Sequence, residues 1–147
     1  MMRIAIIGAG LSGLTAANTL KNHAEITIFE KARDVGGRMS NRCEKPYFFD
    51  HGAQFFSAQT NEFKAFIAPM ITDGIMNSWN ARFAEIEGRA IIRERRWNDD
   101  YPHYVGVPGM SSIAKHLSNG MNLKLGTRVQ SISKQMSKWS LADDQGH

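Results

Sequence analysis

The apolar positions of this chain change period several times, and each change marks an element. Residues 2–7 are a short, almost continuous apolar run, which predicts a buried strand. Residues 11–22 read as a helix, and Glu25–Phe29 as a second strand. Strand, helix and strand of these lengths open a β-α-β unit. After Glu30 the pattern breaks into shorter pieces. Extended stretches are expected at Tyr47–Asp50 and Ala53–Ser57. Thr60 can cap a helix in which Phe63, Phe66, Ile67 and Met70 fall at i, i+3, i+4 and i+7, and Pro69 is expected to end or kink it. Residues 74–105 predict a meander of short strands, with "ARFAEIE" and "RAIIRER" paired around Gly88. Met110, Ile113, Ala114 and Leu117 mark another amphipathic helix, and strands are expected near 122–125, 127–132 and 137–142. The last strand runs into Asp143, Asp144, Gln145 and Gly146, a turn followed only by His147. That strand is therefore expected to lack a partner, which would expose its backbone groups and invite self-association.

The predicted class is α/β. A Rossmann-like β-α-β start is followed by a mixed, largely antiparallel region, whereas a plain doubly wound domain would keep alternating strand and helix.

Composition narrows this only a little. With 147 residues the chain can bury a real core, and 42% hydrophobic with 22% charged residues is the balance of a soluble globular protein. Lysine and arginine number 18 against 14 acids, for a net charge of +4. That excess suits either a phosphate-bearing ligand or an ordinary solvated surface. No basic run is interleaved with aromatics, so nucleic acid is not an expected partner. The lone Cys43 cannot form an internal disulfide, which fits a reducing cytoplasm and a structural or incidental thiol. The N-terminus faintly resembles a signal peptide. Its apolar run is interrupted by glycines and is far shorter than the ~20 residues of a membrane span, so folded structure is expected there and no membrane.

Chemistry concentrates in "IAIIGAGLSGLTAANTL". It holds G-x-G-x-x-G at Gly8, Gly10 and Gly13, after a strand and at the opening of a helix, the context that gives the motif meaning. Gly8 allows the tight turn, Gly10 lets a pyrophosphate approach the backbone, and Gly13 permits close helix–strand packing. The helix N-terminal amides near Leu11 and Ser12 would face the phosphates. Glu30 ends the second strand, where an acid can accept hydrogen bonds from a ribose and repel a 2′-phosphate, although Lys31 and Arg33 adjoin it. A glycine-rich turn in an ordinary β-α-β unit would also show three glycines; strand, helix and acid together favour the nucleotide. Further on, Gly36 and Gly37 let the backbone press close to a ligand, and Arg38 offers a planar fork for phosphate. A Gly-Gly turn beside a surface arginine is the equal alternative. The five histidines, His23, His51, His103, His116 and His147, have no metal-ligand spacing; no metal is expected and no catalytic acid or base is assigned.

"GAGLSG", "GGRMS", "FDHGAQFF", "VGVPGMSSIAKHL", "TRVQSI" and "KWSL" occur in the order seen in renalase-like proteins, within the flavin-containing amine oxidase group, and the chain resembles that family over nearly its whole length. The resemblance implies non-covalently bound FAD. It implies cofactor contacts from Gly8, Ala9, Gly10, Leu11, Ser12 and Gly13, from Glu30 and Lys31, and from Gly36, Gly37 and Arg38. Gln54 and Phe55 would lie near the isoalloxazine ring and Val129 near the adenine, with plain core roles open for Phe55 and Val129. It further implies oxidation of a small-molecule substrate, a dihydronicotinamide isomer or else an amine, with O2 as acceptor giving hydrogen peroxide. A non-catalytic remnant is the third reading. The corresponding regions are 1–57 for FAD binding, 58–105 as part of a substrate domain, and 106–147 as an incomplete return toward the FAD-binding domain. Members of that family are longer, so the resemblance implies an N-terminal part, inactive by itself.

Overall fold

The computed structural model describes residues 1–97 and 102–144. The chain divides into two compact units. The first comprises Met1–Ser40 and the chain from Ala114 onward; the second is Asn41–Ile113. In chain order the elements are β1 (Met2–Ile7), α1 (Leu11–Leu20), β2 (Ala24–Glu30), β3 (Arg42–Glu44), β4 (Tyr47–Phe49) and β5 (Phe56–Ser57). There follow α2 (Asn61–Thr72), β6 (Met76–Ser78), β7 (Arg82–Glu87), β8 (Ala90–Arg96) and β9 (His103–Gly106). The chain then forms α3 (Ser111–Ser118), β10 (Asn122–Leu125), β11 (Val129–Gln135) and β12 (Lys138–Asp143).

The first unit is built on a three-stranded parallel sheet in the order β1-β2-β10. Alternation sorts β2 cleanly: Ala24, Ile26, Ile28 and Glu30 are buried, while Glu25, Thr27 and Phe29 point the other way. On the buried side α1 contributes Leu14 and Ala17, both without exposed surface. Burying a side chain of the size of Leu14 or Ile28 stabilises the fold by roughly 1.5–3 kcal/mol each. The Asn18 amide donates to the Leu117 carbonyl at 2.7 Å, tying α1 to the C-terminal turn of α3. The opposite face of β1 and β2 (Arg3, Ala5, Ile7, Glu25, Thr27, Phe29) borders a cavity of about 910 Å³, with Ile132, Trp139 and Leu141 of the β11–β12 hairpin among its walls.

That hairpin corrects one expectation. The strand predicted at 137–142 has a partner: β12 runs antiparallel to β11, from Gln135↔Lys138 to Val129↔Asp143, with an irregularity between Val129 and Ser131. The returning strand precedes the final one instead of following it, so the last strand is paired along one edge. Asp143 belongs to β12, and Gln145, Gly146 and His147 lie outside the described residues.

In the second unit, β5, β9 and β6 form a sheet in that order, and β3–β4 and β7–β8 are antiparallel hairpins. The "ARFAEIE"/"RAIIRER" pair forms as read, around Gly88 at φ +62°. The stretch 74–105 is not a simple meander, because β9 pairs with both β5 and β6; residues 98–101 of that expectation lie outside the described residues. Helix α2 starts as expected, with the Thr60 hydroxyl accepting from the Phe63 amide at 3.2 Å. It does not end at Pro69 but continues to Thr72. Ile67 and Met70 are buried on either side of the proline, and the Pro69 carbonyl still accepts from Asp73 at 2.9 Å. Packing of that face outweighs one missing donor. Helix α1 ends at Leu20, two residues before the expected end. No helix among the described residues is long and apolar enough to cross a membrane.

Candidate functional site

The glycine loop joins β1 to α1 and is held from three sides. The Gly8 amide donates to the Phe29 carbonyl at 2.8 Å, extending the β1–β2 ladder by one rung. Gly8 itself sits at φ +102°, a conformation that side chains rarely adopt. The Ala9 amide donates to one oxygen of the Glu30 carboxylate at 2.7 Å, and the Ala9 carbonyl accepts from the Gly36 amide at 2.9 Å. Ala9 is fully buried, so this residue clamps the loop between the end of β2 and the Gly-Gly turn.

The three motif glycines do different work. A Cβ on Gly13 would run into the Gly8 carbonyl oxygen, so helix and loop are in backbone contact there. A Cβ on Gly10 would meet nothing within 4 Å: the space beside it is open. Gly10 is the N-cap of α1, in extended conformation and without a side-chain cap. The first amides of α1 therefore face that open side with the positive end of the helix dipole. This arrangement fits a pyrophosphate: donors, positive potential and room for close approach. Gly13→Ala should destabilise the protein by roughly 1–3 kcal/mol, the scale of an overpacked contact, read as a lower urea midpoint; an unchanged midpoint would show that loop and helix can separate freely.

Glu30 is 7% exposed. Its second oxygen accepts from the Ala32 amide at 2.8 Å, so both oxygens already serve the backbone. Each carboxylate oxygen has a further lone pair, which leaves capacity for a ribose hydroxyl. The turn between β10 and β11 closes beside it, Thr127 donating to the Glu30 carbonyl at 2.9 Å and Gly126 to that of Ala32 at 2.8 Å. Val129 follows as the half-buried first residue of β11.

Gly36 and Gly37 approach the loop backbone directly. Gly36 forms a parallel bridge with Gly10, and a Cβ on Gly37, at φ +55°, would lie 3.3 Å from the Gly10 Cα. Gly37 thus accommodates the glycine loop, whereas a Cβ on Gly36, at φ +125°, would meet the Ser40 amide nitrogen at 3.4 Å. Leu11, Ser12, Lys31 and Arg38 are exposed; Arg38 sits in a single 3-10 turn, Gly37–Met39, and makes no ion pair among the described residues. The first unit thus brings together Gly8 to Gly13, Glu30, Lys31 and Gly36 to Arg38. Gln54 and Phe55 belong to the second unit, both exposed, with Phe55 in an aromatic cluster. Sequence reasoning missed Ala9's double hydrogen-bonding role, which no side chain announces, and the rings gathered around Phe55, whose only trace was the aromatic positions at 79, 83 and 97.

Residues 6–69 match the family model described as an NAD(P)-binding Rossmann-like domain. By sequence the chain is similar to the 4,4'-diapophytoene desaturase of Staphylococcus aureus, 48% identical over 52 residues, which is 35% of this chain and 10% of the desaturase. By structure it is similar over its whole length to tetracycline destructase Tet(51), with a TM-score of 0.68, 16% identity and 36% of that chain covered. It is also similar to a candidate protoporphyrinogen oxidase from Exiguobacterium sp. 255-15, with a TM-score of 0.71, 12% identity, and 99% of this chain and 57% of the other covered. The chain therefore spans only part of each of these proteins. At such identities the structural matches establish the fold, and the β1-α1-β2 geometry agrees with the family model. Residues 6–69 are thus similar to an NAD(P)-binding Rossmann-like domain, and 52 residues of the chain to part of a desaturase.

Proposed function

We propose that this chain is the dinucleotide-binding part of an FAD-dependent oxidoreductase. The observation that carries this reading is the open side of Gly10, facing the uncapped N-terminus of α1, in a loop fastened by Glu30. The desaturase and oxidase names among its relatives support redox chemistry. In this reading the amides of α1 and the backbone of Gly10 hold the pyrophosphate. Glu30 fixes the loop through Ala9 and uses its remaining lone pairs on the adenosine ribose. Arg38, exposed and without an ion pair among the described residues, takes the phosphate–ribityl region, and Val129 the adenine. Gln54 and Phe55 approach the flavin ring. FAD, when bound, supplies a two-electron acceptor that no side chain provides.

The substrate reading is finer. The motif order shared with renalase-like proteins favours a dihydronicotinamide isomer, whose oxidation to the aromatic nicotinamide is matched by reduction of O2 to hydrogen peroxide. Such a substrate needs alignment more than acid–base assistance, which agrees with the lack of an assigned catalytic acid or base. Purified protein reconstituted with FAD should show visible flavin absorbance after gel filtration; protein that emerges colourless would refute the FAD reading. Arg38→Ala should weaken FAD by about 1.5–3 kcal/mol, the scale of a hydrogen bond to a charged group, measured by fluorescence titration. Unchanged affinity would return Arg38 to the role of a solvated surface residue.

A further inference from the structure

We propose that the aromatic cluster of the second unit, with Arg93 and Arg95, is a recognition site for a flat conjugated ring that carries an anionic group. Its role as a substrate subsite rests on the oxidoreductase reading above; the binding itself does not. Trp97 is the hub. It stacks on His103 with centroids 3.6 Å apart and planes within 6°, and takes Phe83 edge-on at 4.3 Å, Phe55 at 4.7 Å and Trp79 at 5.1 Å. Phe55 stays 40% exposed and Trp79 41% exposed, with centroids 5.9 Å apart and planes tilted by 55°. They present exposed ring surface against which another ring can stack.

The charge is reached through Trp97 and Phe83, whose ring centroids are 4.3 Å apart. In the β7–β8 ribbon Phe83 pairs with Arg95 and Glu85 with Arg93, and these four side chains with Ala84 line a space of about 180 Å³. The Arg95 guanidinium sits 5.4 Å over the Phe83 ring. Such a space is too small for a whole substrate but admits an anionic substituent. Arg82 is engaged elsewhere, hydrogen-bonded to Glu94 at 2.9 Å, an interaction that raises its pKa further. Glu85 is the only carboxylate lining the space, so the two arginines leave it a net positive charge. Neither Arg93 nor Arg95 forms an ion pair among the described residues. Guanidinium groups so placed suit a carboxylate or phosphate, and the neighbouring rings suit a conjugated system.

The test uses tryptophan fluorescence in a Trp139→Phe background, so that the signal comes from Trp79 and Trp97. Nicotinamide mononucleotide, which joins a ring to a phosphate, should quench saturably. Nicotinamide alone should bind about tenfold more weakly, and ribose 5-phosphate should not quench. The double variant Arg93→Gln/Arg95→Gln, at exposed positions, should lose at least about tenfold in affinity with its circular dichroism unchanged. Phe55→Leu should weaken binding and Phe55→Tyr restore it. Linear, non-saturating quenching, or parental affinity in the double arginine variant, would overturn the proposal. Gly10→Val separates the two readings. Saturable quenching in a variant that has lost FAD supports both, whereas retained FAD would sink the assignment of the phosphate site to Gly10 and leave this proposal standing.

Discussion

Gly10→Val should abolish FAD binding and leave the fold intact. Most glycine substitutions in tight loops confound these two effects, because the new side chain strains the backbone. Gly10 is different. Its backbone is extended, with φ −80° and ψ 179°, which any residue adopts, and its Cβ position has nothing within 4 Å. The protein tolerates the side chain; the ligand does not, because a branched group would occupy the approach of the pyrophosphate to the α1 amides. The expected result is an unchanged melting curve with no flavin retained after reconstitution. A Gly10→Val protein that keeps FAD at parental affinity would show that the open side of the loop is not the phosphate site.

Glu30→Ala should do the reverse and act first on stability. The Glu30 carboxylate accepts from the buried Ala9 amide, and it also accepts from Ala32, whose amide lies nearer solvent. Losing the buried bond leaves a backbone donor unsatisfied, while water can replace the other. A cost of about 2–4 kcal/mol follows from the scale of charged hydrogen bonds and unsatisfied donors. Against a total stability of roughly 5–15 kcal/mol, that is a large fraction. Urea denaturation reads it directly, and a loss below about 0.5 kcal/mol would show that the loop does not depend on Glu30. Glu30→Gln should fall between, since one oxygen remains while an NH2 group opposes the other amide. FAD affinity should drop in both variants, because the Ala9 peptide sets the course of the loop into Gly10.

Much of the first unit is legible in the order of its residues. The run at 2–7, the spacing of Gly8, Gly10 and Gly13, and Glu30 at the strand end all encode local constraints: a turn, a close contact, an acid at a fixed remove. Thr60 as a cap and Met110, Ile113, Ala114 and Leu117 as one buried face are legible for the same reason, since helical periodicity is a property of neighbours in sequence. Pro69 does not end α2, because its local penalty is visible in the sequence and the burial of Ile67 and Met70 around it is not.

What the amino-acid sequence determined by itself was therefore the set of local elements, the glycine motif between β1 and α1 and the type of residue at each step of it. Only the tertiary structure decided how those parts meet. It placed β10 beside β2, turned both Glu30 oxygens to backbone amides, set Gly36 and Gly37 against Gly10, paired β12 with β11 and gathered Phe55, Trp79, Phe83, Trp97 and His103 into one cluster. The physical reason is range. Steric and periodic rules act between residues a few positions apart, whereas strand partners, buried amides and ring clusters join residues far apart in the chain, whose pairing depends on the packing of everything between them.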